Sequence, residues 1–109
     1  GKTVEIDDDK MNIYTALTAV GPTYFLPVFD AMIAAGVEAG LLRELAVAAA
    51  VETARGTAAL VSQRSEPPDQ LKLYTGLRPL KDVEVRDLVR QAINEANSRV
   101  TTLQQKLTG

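Results

Sequence analysis

The sequence predicts an all-α protein of about five helices, and two features support this prediction. Apolar residues recur every three or four positions along most of the chain, which is the spacing of one face of an α-helix. Glycine and proline separate these segments at Gly21-Pro22, Gly36, Gly40 and Ser65–Asp69, where helices are expected to begin or end. At 109 residues, the chain is long enough for one hydrophobic core but short for an enzyme with its own cofactor fold.

The N-terminal third predicts a short extended segment and two helices. Alternating apolar and polar residues over Thr3–Ile6 indicate a strand or an extended lead into the first helix, which is expected over about Asp9–Ala19. A second helix is predicted over about Pro22–Ala35, with a kink or a distorted first turn at Pro27. Gly36 is expected to end this helix by taking a positive φ. The side chains expected to be buried on this helix are Phe25, Val28, Phe29, Met32 and Ile33.

The remaining sequence predicts a small-residue helix, a break and a long amphipathic helix. The third helix is expected over about Leu42–Gln63, where Ala46, Ala50, Ala54 and Ala58 recur every fourth position. Such a flat face permits two helix backbones to approach closely. A lone domain of this size buries only about 60–65% of its unfolded surface, and this one has two long apolar helices. We therefore expect the second and third helices to pack across a two-fold axis, with the Ala46/Ala50/Ala54 face at or near the crossing. The prolines of Ser65–Asp69 break the helix. Gln70–Pro79 predicts a short helix and a loop, and a final amphipathic helix is expected from Asp82 or Val83.

Composition excludes several kinds of chemistry. The chain contains no cysteine and no histidine, so disulfides, thiol nucleophiles, imidazole catalysis and zinc sites built on these residues are impossible within it. A net charge of −2 gives no bulk electrostatic attraction to nucleic acid or to an anionic membrane. Met11–Phe29 has no charged residue, but its polar residues, glycine and prolines favour a packed helix pair over a membrane span. We therefore expect no nucleic-acid partner, no membrane association and a cytoplasmic location.

The segment from Ala16 to Ala46 has a specific order of residues. It contains Ala16, Leu17, Gly21, Pro22, Tyr24, Ala35, Gly36, Val37, Ala39, Gly40, Leu41, Arg43, Glu44, Leu45 and Ala46. This order resembles the C-terminal dimerisation domain of pyrroline-5-carboxylate reductase, a family that typically has A-L-S-G-S-G-P-A-Y, an apolar helix and then A-G-V-x-A-G-L-P-R-E-L-A. Further along, Asp69-Gln70 and Gly76-Leu77-Arg78 resemble elements on either side of the family's substrate loop.

The resemblance implies an intertwined helical homodimer of the kind found at the C-terminus of 6-phosphogluconate dehydrogenase. It assigns residues 9–109 to the helical dimerisation domain and residues 1–8 to an extended tail from a preceding Rossmann domain. We expect NAD(P)H to bind that preceding domain, with no cofactor or metal held by this chain. The parent protein would be an NAD(P)-dependent oxidoreductase of proline biosynthesis that reduces a cyclic imine or a related small acid. The isolated domain is expected to be inactive.

The substrate loop is where the chain departs most from the family pattern. The family has T-S-P-G-G-T after Asp-Gln, which supplies backbone N–H groups and hydroxyls to the substrate carboxylate, whereas this chain has Leu71-Lys72-Leu73-Tyr74-Thr75. Tyr74 and Thr75 are the predicted substrate contacts, and no catalytic residue is assigned. The family's S-G-S and its Pro before Arg-Glu-Leu are also replaced, by Thr18-Ala19-Val20 and Leu42. An alternative interpretation is a non-catalytic dimerisation module of a protein that has lost the reductase activity.

We predict that the isolated chain does not bind a dinucleotide tightly. Pyrophosphate binding requires a glycine-rich turn that leads from a strand into a helix and presents free N–H groups, and the sequence lacks this fingerprint. Calorimetry with NADH and with NADPH should show no binding at micromolar concentrations. Saturable heat in that range would contradict the prediction.

Overall fold

The computed structural model describes residues 6–71 and 80–108, and these residues are helical apart from the connecting turns. They form one 3-10 helix at Asp8–Lys10 and five α-helices. These are α1 (Met11–Thr18), α2 (Pro22–Glu38), α3 (Arg43–Gln63), α4 (Pro68–Leu71) and α5 (Asp82–Thr108). The chain divides into two compact units, residues 1–25 with 82–109 and residues 26–81. The all-α prediction is confirmed, and the predicted helix bounds agree with the observed ones to within a few residues.

The first unit is a pair of helices in which the short α1 lies against the long α5. Ala16 of α1 is completely buried, and the side-chain amide of Asn12 donates hydrogen bonds to Thr101 and Gln104 of α5. The half-buried residues of α5 recur at helical spacing, so one side of α5 faces inward. These residues include Val85, Val89, Ile93, Ala96 and Val100.

The Gly21-Pro22 turn separates α1 from α2. Pro22 is the first residue of α2, where a missing N–H has no intrahelical partner. Gly21 is buried, and a Cβ added to it would collide with the carbonyl oxygen of Leu17. The backbone N–H of Thr23 donates to the carbonyl of Val20 at 3.1 Å, and its hydroxyl donates to the same oxygen. Glycine is therefore required here by close approach of the backbone.

Helix α2 ends in a Schellman motif centred on Gly40, which corrects the prediction for Gly36. Gly40 has a φ of 108° and is the one residue of positive φ among those described. Its N–H donates to the carbonyl of Val37 at 3.0 Å, and the N–H of Leu41 donates to the carbonyl of Gly36 at 3.0 Å. Gly36 itself lies inside α2. The helix is continuous from Pro22 to Glu38, although Pro27 cannot donate a backbone hydrogen bond within it.

Gly36 instead allows α2 and α3 to approach closely. A Cβ placed on Gly36 would lie 3.1 Å from the Cβ of Ala46 and 3.4 Å from Cδ1 of Leu41. Ala46 and Ala50 are buried on the same side of α3. Ala46 packs on α2 of its own chain, so the predicted close approach at this small residue is confirmed. The packing of these helices across a two-fold axis stays a prediction. Ala54 is half-buried and Ala58 is exposed, so the contact covers only the first half of the alanine stripe.

The expected core of α2 is not buried within the single chain. Phe25 is 64% exposed, Val28 is 51% exposed and Met32 is also exposed, whereas Phe29 and Ile33 are half-buried. Burial requires a surface that faces the helix, and the contact of α3 with α2 seen at Gly36 and Ala46 lies near the C-terminal end of α2. The prediction for Phe25, Val28 and Met32 is therefore wrong for the chain taken alone.

The break after α3 matches its prediction. Helix α3 ends at Gln63, and the guanidinium of the next residue, Arg64, donates to Glu66 through Nε at 3.0 Å and Nη2 at 2.7 Å. Pro68 begins α4, a single turn that ends with the buried side chain of Leu71. Thr3–Glu5 and most of the predicted loop over Gln70–Pro79 lie outside the described residues.

Replacement of Gly36 by valine should destabilise the fold. The new side chain would overlap Ala46, and overpacking of this kind costs about 1–3 kcal/mol of unfolding free energy. Gly56→Ala is a matched control, since Gly56 is in the middle of α3 with no atom within 4 Å of an added Cβ. It should stabilise the chain by about 0.5–1 kcal/mol. Urea unfolding of both variants measures these changes, and a Gly36→Val chain as stable as the parent would contradict the crossing.

Candidate functional site

The predicted substrate contacts Tyr74 and Thr75 lie outside the described residues. Their neighbour Leu71 is 5% exposed, so its side chain is taken up by packing in the second unit. Asp69 and Gln70, which match the family's Asp-Gln pair, belong to α4 and are exposed. The structure therefore describes the residues up to Leu71, where the predicted loop begins, and the assignment of Tyr74 and Thr75 as substrate contacts stays a prediction.

Each unit carries a large set of exposed apolar side chains. In the unit of residues 26–81 these are Leu26, Val28, Met32, Val37, Leu41, Leu42, Leu45, Val61 and Leu80. In the other unit they are Met11, Tyr14, Leu17, Val20, Phe25, Val83, Leu88, Leu103 and Leu107. The buried apolar residues among those described are only Ala16, Ala46, Ala50 and Leu71. Patches of exposed apolar surface on this scale mark sites of association.

The corner between α2 and α3 holds Leu42, the most exposed large apolar side chain among the described residues of its unit. Leu42 precedes α3 with φ −60° and ψ 142° and is 78% exposed, and Leu41 and Leu45 beside it are exposed too. In the sequence, Leu42 stands out only as a departure from the family's proline. The overlooked signal of an apolar surface is the concentration of leucines at a turn, where polar residues are usual.

Polar groups do not assemble into a catalytic centre in the part of the chain that the structure describes. The ion pairs Glu52–Arg55, Asp87–Arg90 and Glu95–Arg99 have largely solvent-accessible side chains, and the side chains of Arg64–Glu66 are partly accessible. Such surface pairs contribute little to stability. The described residues contain no group of three acidic side chains placed to hold a metal ion. A shallow groove of about 310 Å³ lies between the Gly21-Pro22 turn and α5, lined by Thr23, Tyr24, Glu95 and Arg99 among others.

The N-terminus of α2 does not form a dinucleotide site. A pyrophosphate would need free backbone N–H groups after a glycine turn. At this turn the N–H of Thr23 donates to Val20, and the N–H of Tyr24 donates to the carbonyl of Gly21 at 3.0 Å. The residues of this turn therefore do not fit an NAD(P)H phosphate.

The fold and the surface together define a helical association domain. Most of its large apolar side chains are exposed, because its own helices do not cover them. The chain belongs to the pyrroline-5-carboxylate reductase dimerisation family, whose model matches residues 8–103. This match covers α1 through most of α5 and confirms the resemblance seen in the sequence.

Individual relatives support the same assignment. The chain is 30% identical to pyrroline-5-carboxylate reductase of Synechocystis over 97% of this chain and 43% of the relative. It is 31% identical to the Arabidopsis thaliana enzyme over 96% of this chain and 41% of the relative. A crystal structure of Plasmodium falciparum pyrroline carboxylate reductase with NADP bound superposes with a TM-score of 0.74 at 28% identity, over 94% of this chain and 44% of that one. The chain thus spans less than half the length of these relatives.

Two helical stretches of the described residues, Asp8–Glu38 and Arg43–Gln63, are long and apolar enough to cross a membrane. Only 6% and 11% of their most apolar windows are buried within the chain. Length and composition alone do not indicate a membrane protein here, because helices of a dimerisation domain are also long and apolar. The family match gives this surface a different explanation.

Proposed function

We propose that this chain is the homodimerisation domain of an NAD(P)H-dependent reductase that acts on a cyclic imine or a related small acid. The observation that carries the proposal is the excess of exposed apolar surface on a member of a dimerisation family. In the dimer, this domain also forms one wall of the substrate site. We place the protein in the cytoplasm, with which its cysteine-free composition agrees.

A second copy of the same chain fits the exposed surface better than an unrelated partner. Soluble oligomers are mostly symmetric, and a two-fold interface needs a surface that can contact itself. Val28 and Met32 are one helical turn apart on α2, so they project from the same side of the helix. This side carries exposed apolar residues in place of charges, which is the composition expected at the centre of an obligate interface.

The reductase part of the proposal rests on the relatives. They are named pyrroline-5-carboxylate reductases, and one of them is solved with NADP bound. Since they are more than twice as long as this chain, we assign the cofactor to a domain outside residues 1–109. When bound there, the cofactor would supply the hydride. This chain would position and shield the imine at the subunit boundary.

The substrate loop favours a reduced or altered activity. A buried carboxylate needs hydrogen-bond donors to offset the loss of hydration. The family's glycine pair offers backbone N–H groups and its Ser and Thr offer hydroxyls, whereas Leu73 and Tyr74 bring bulk at this point of the sequence. Tyr74 and Thr75 are the proposed substrate contacts. The same loop supports the second candidate function, a dimerisation module that no longer takes part in catalysis.

The first test of the proposal is a substitution on the exposed side of α2. Val28→Glu places a carboxylate on the surface assigned to the dimer, where it would lose hydration on association. We expect the dimer dissociation constant to rise at least tenfold, which corresponds to about 1.4 kcal/mol. Sedimentation velocity at several concentrations measures this change.

Ser98→Glu provides the control for added charge. Ser98 is also an exposed helical residue, and it lies on α5 opposite the half-buried side of that helix. This variant should dimerise like the parent chain. A parent chain that sediments as a compact monomer at micromolar concentration would overturn the dimer.

The second test concerns the reaction. A protein that joins this domain to its cofactor domain should reduce pyrroline-5-carboxylate with a much lower kcat/KM than ordinary family members, because carboxylate donors of the loop are missing. Loss of one such hydrogen bond to a charged group costs about 1.5–3 kcal/mol, or roughly 10- to 150-fold. Steady-state assays with NADH and NADPH measure this. Family-level efficiency would refute the interpretation of the loop, and activity below detection would favour the non-catalytic module.

A further inference from the structure

A small polar cluster joins α1 to the C-terminal half of α5. The side-chain nitrogen of Asn12 donates to Oγ1 of Thr101 at 3.2 Å and to Oε1 of Gln104 at 2.7 Å. These two acceptors are three positions apart on α5, so they share one side of the helix. The Asn12 amide can make both bonds only when α1 sits at one position along α5.

Asn97 adds a buried carbonyl oxygen to the same side of α5. It precedes Thr101 by four residues, which is one helical turn. Its Oδ1 is buried and has no hydrogen-bond partner among the described residues. Leaving a buried acceptor unsatisfied destabilises a fold, and an apolar side chain of the same shape would avoid this cost. Asn97 is therefore unfavourable for stability, and its presence calls for another explanation.

The apolar contacts between these helices do not by themselves define one alignment. Helix α5 has 27 residues and α1 has eight, so at about 1.5 Å per residue α5 is roughly 28 Å longer. The half-buried apolar positions of α5 recur with spacings of four, four, three and four residues. They are Val85, Val89, Ile93, Ala96 and Val100. A shift of α1 along this stripe would exchange one set of apolar contacts for a similar one.

We propose that Asn12, Asn97, Thr101 and Gln104 form a register lock, which fixes where α1 pairs with α5 and prevents competing helix pairings. A shifted α1 would lose the two hydrogen bonds of Asn12. A second apolar helix placed over Asn97 and Thr101 would bury polar groups without partners. Single buried asparagines set helix register and oligomeric state in coiled coils at the expense of stability. The lock lies within the first unit and does not depend on the proposed reductase function.

The test compares leucine substitutions in the 109-residue chain. Asn97→Leu removes the unsatisfied oxygen and should raise the equilibrium constant for folding roughly tenfold, measured by urea unfolding. Asn94→Leu is the matched control, since Asn94 is an exposed asparagine on the same helix, and it should leave that constant nearly unchanged. The double variant Asn12→Leu/Asn97→Leu should give more than one set of amide resonances, or a mixture of assemblies in sedimentation, where the parent gives one.

Two results would overturn the lock. A destabilised Asn97→Leu chain would mean that the Asn97 oxygen has a partner. A double variant with one set of resonances, the parent's assembly state and the parent's pattern of amide exchange protection in α1 would mean that apolar packing alone sets the register. The amide readout separates the lock from a merely structural role, because loss of stability alone does not produce two conformers.

Discussion

The hydrophobic surface of this chain is larger than its own helices can cover, and the other features follow from this constraint. Three of the four buried apolar residues among those described are alanines. Alanine allows two helix backbones to come close but removes little area from water, at about 25 cal/mol per Å². The intrachain crossings are therefore tight and small. Large apolar side chains of α2, α3 and α5 remain exposed in the single chain, which agrees with membership in a dimerisation family.

Two glycines with different roles shape the corner between α2 and α3. Gly40 reverses the chain by taking a positive φ, and Gly36, one turn earlier, leaves room for Ala46. The hydrogen bond from Leu41 to Gly36 links these roles, because it fixes the direction in which α3 leaves the turn. The same geometry places Leu41 and Leu42 on the surface. Tight packing inside the chain and apolar exposure outside it thus arise from one short segment.

The sequence predicted the helices well because their signals are local. Pro22, the prolines after Gln63 and the spacing in α5 each act within a turn or two, and these boundaries agree with the structure. It assigned the positive φ to Gly36 and not to Gly40, which is wrong, because either glycine suits a helix end and local sequence does not distinguish them. It also placed Phe25 and Met32 in a core, but both are exposed in the single chain. Burial depends on the elements that face a helix, and the sequence of that helix does not specify them. The proposed substrate contacts Tyr74 and Thr75 lie outside the described residues and stay a prediction.

The thinness of the intrachain core also bears on how the protein reaches its native state. A chain with four buried apolar residues among those described gains little from folding by itself, and the loss of conformational entropy is of order 1–2 kcal/mol per residue. For an obligate dimer of such chains, helix formation and subunit encounter become one reaction. Its rate would then follow the square of the chain concentration, so the time to maturity after synthesis would shorten as the cell makes more of the protein.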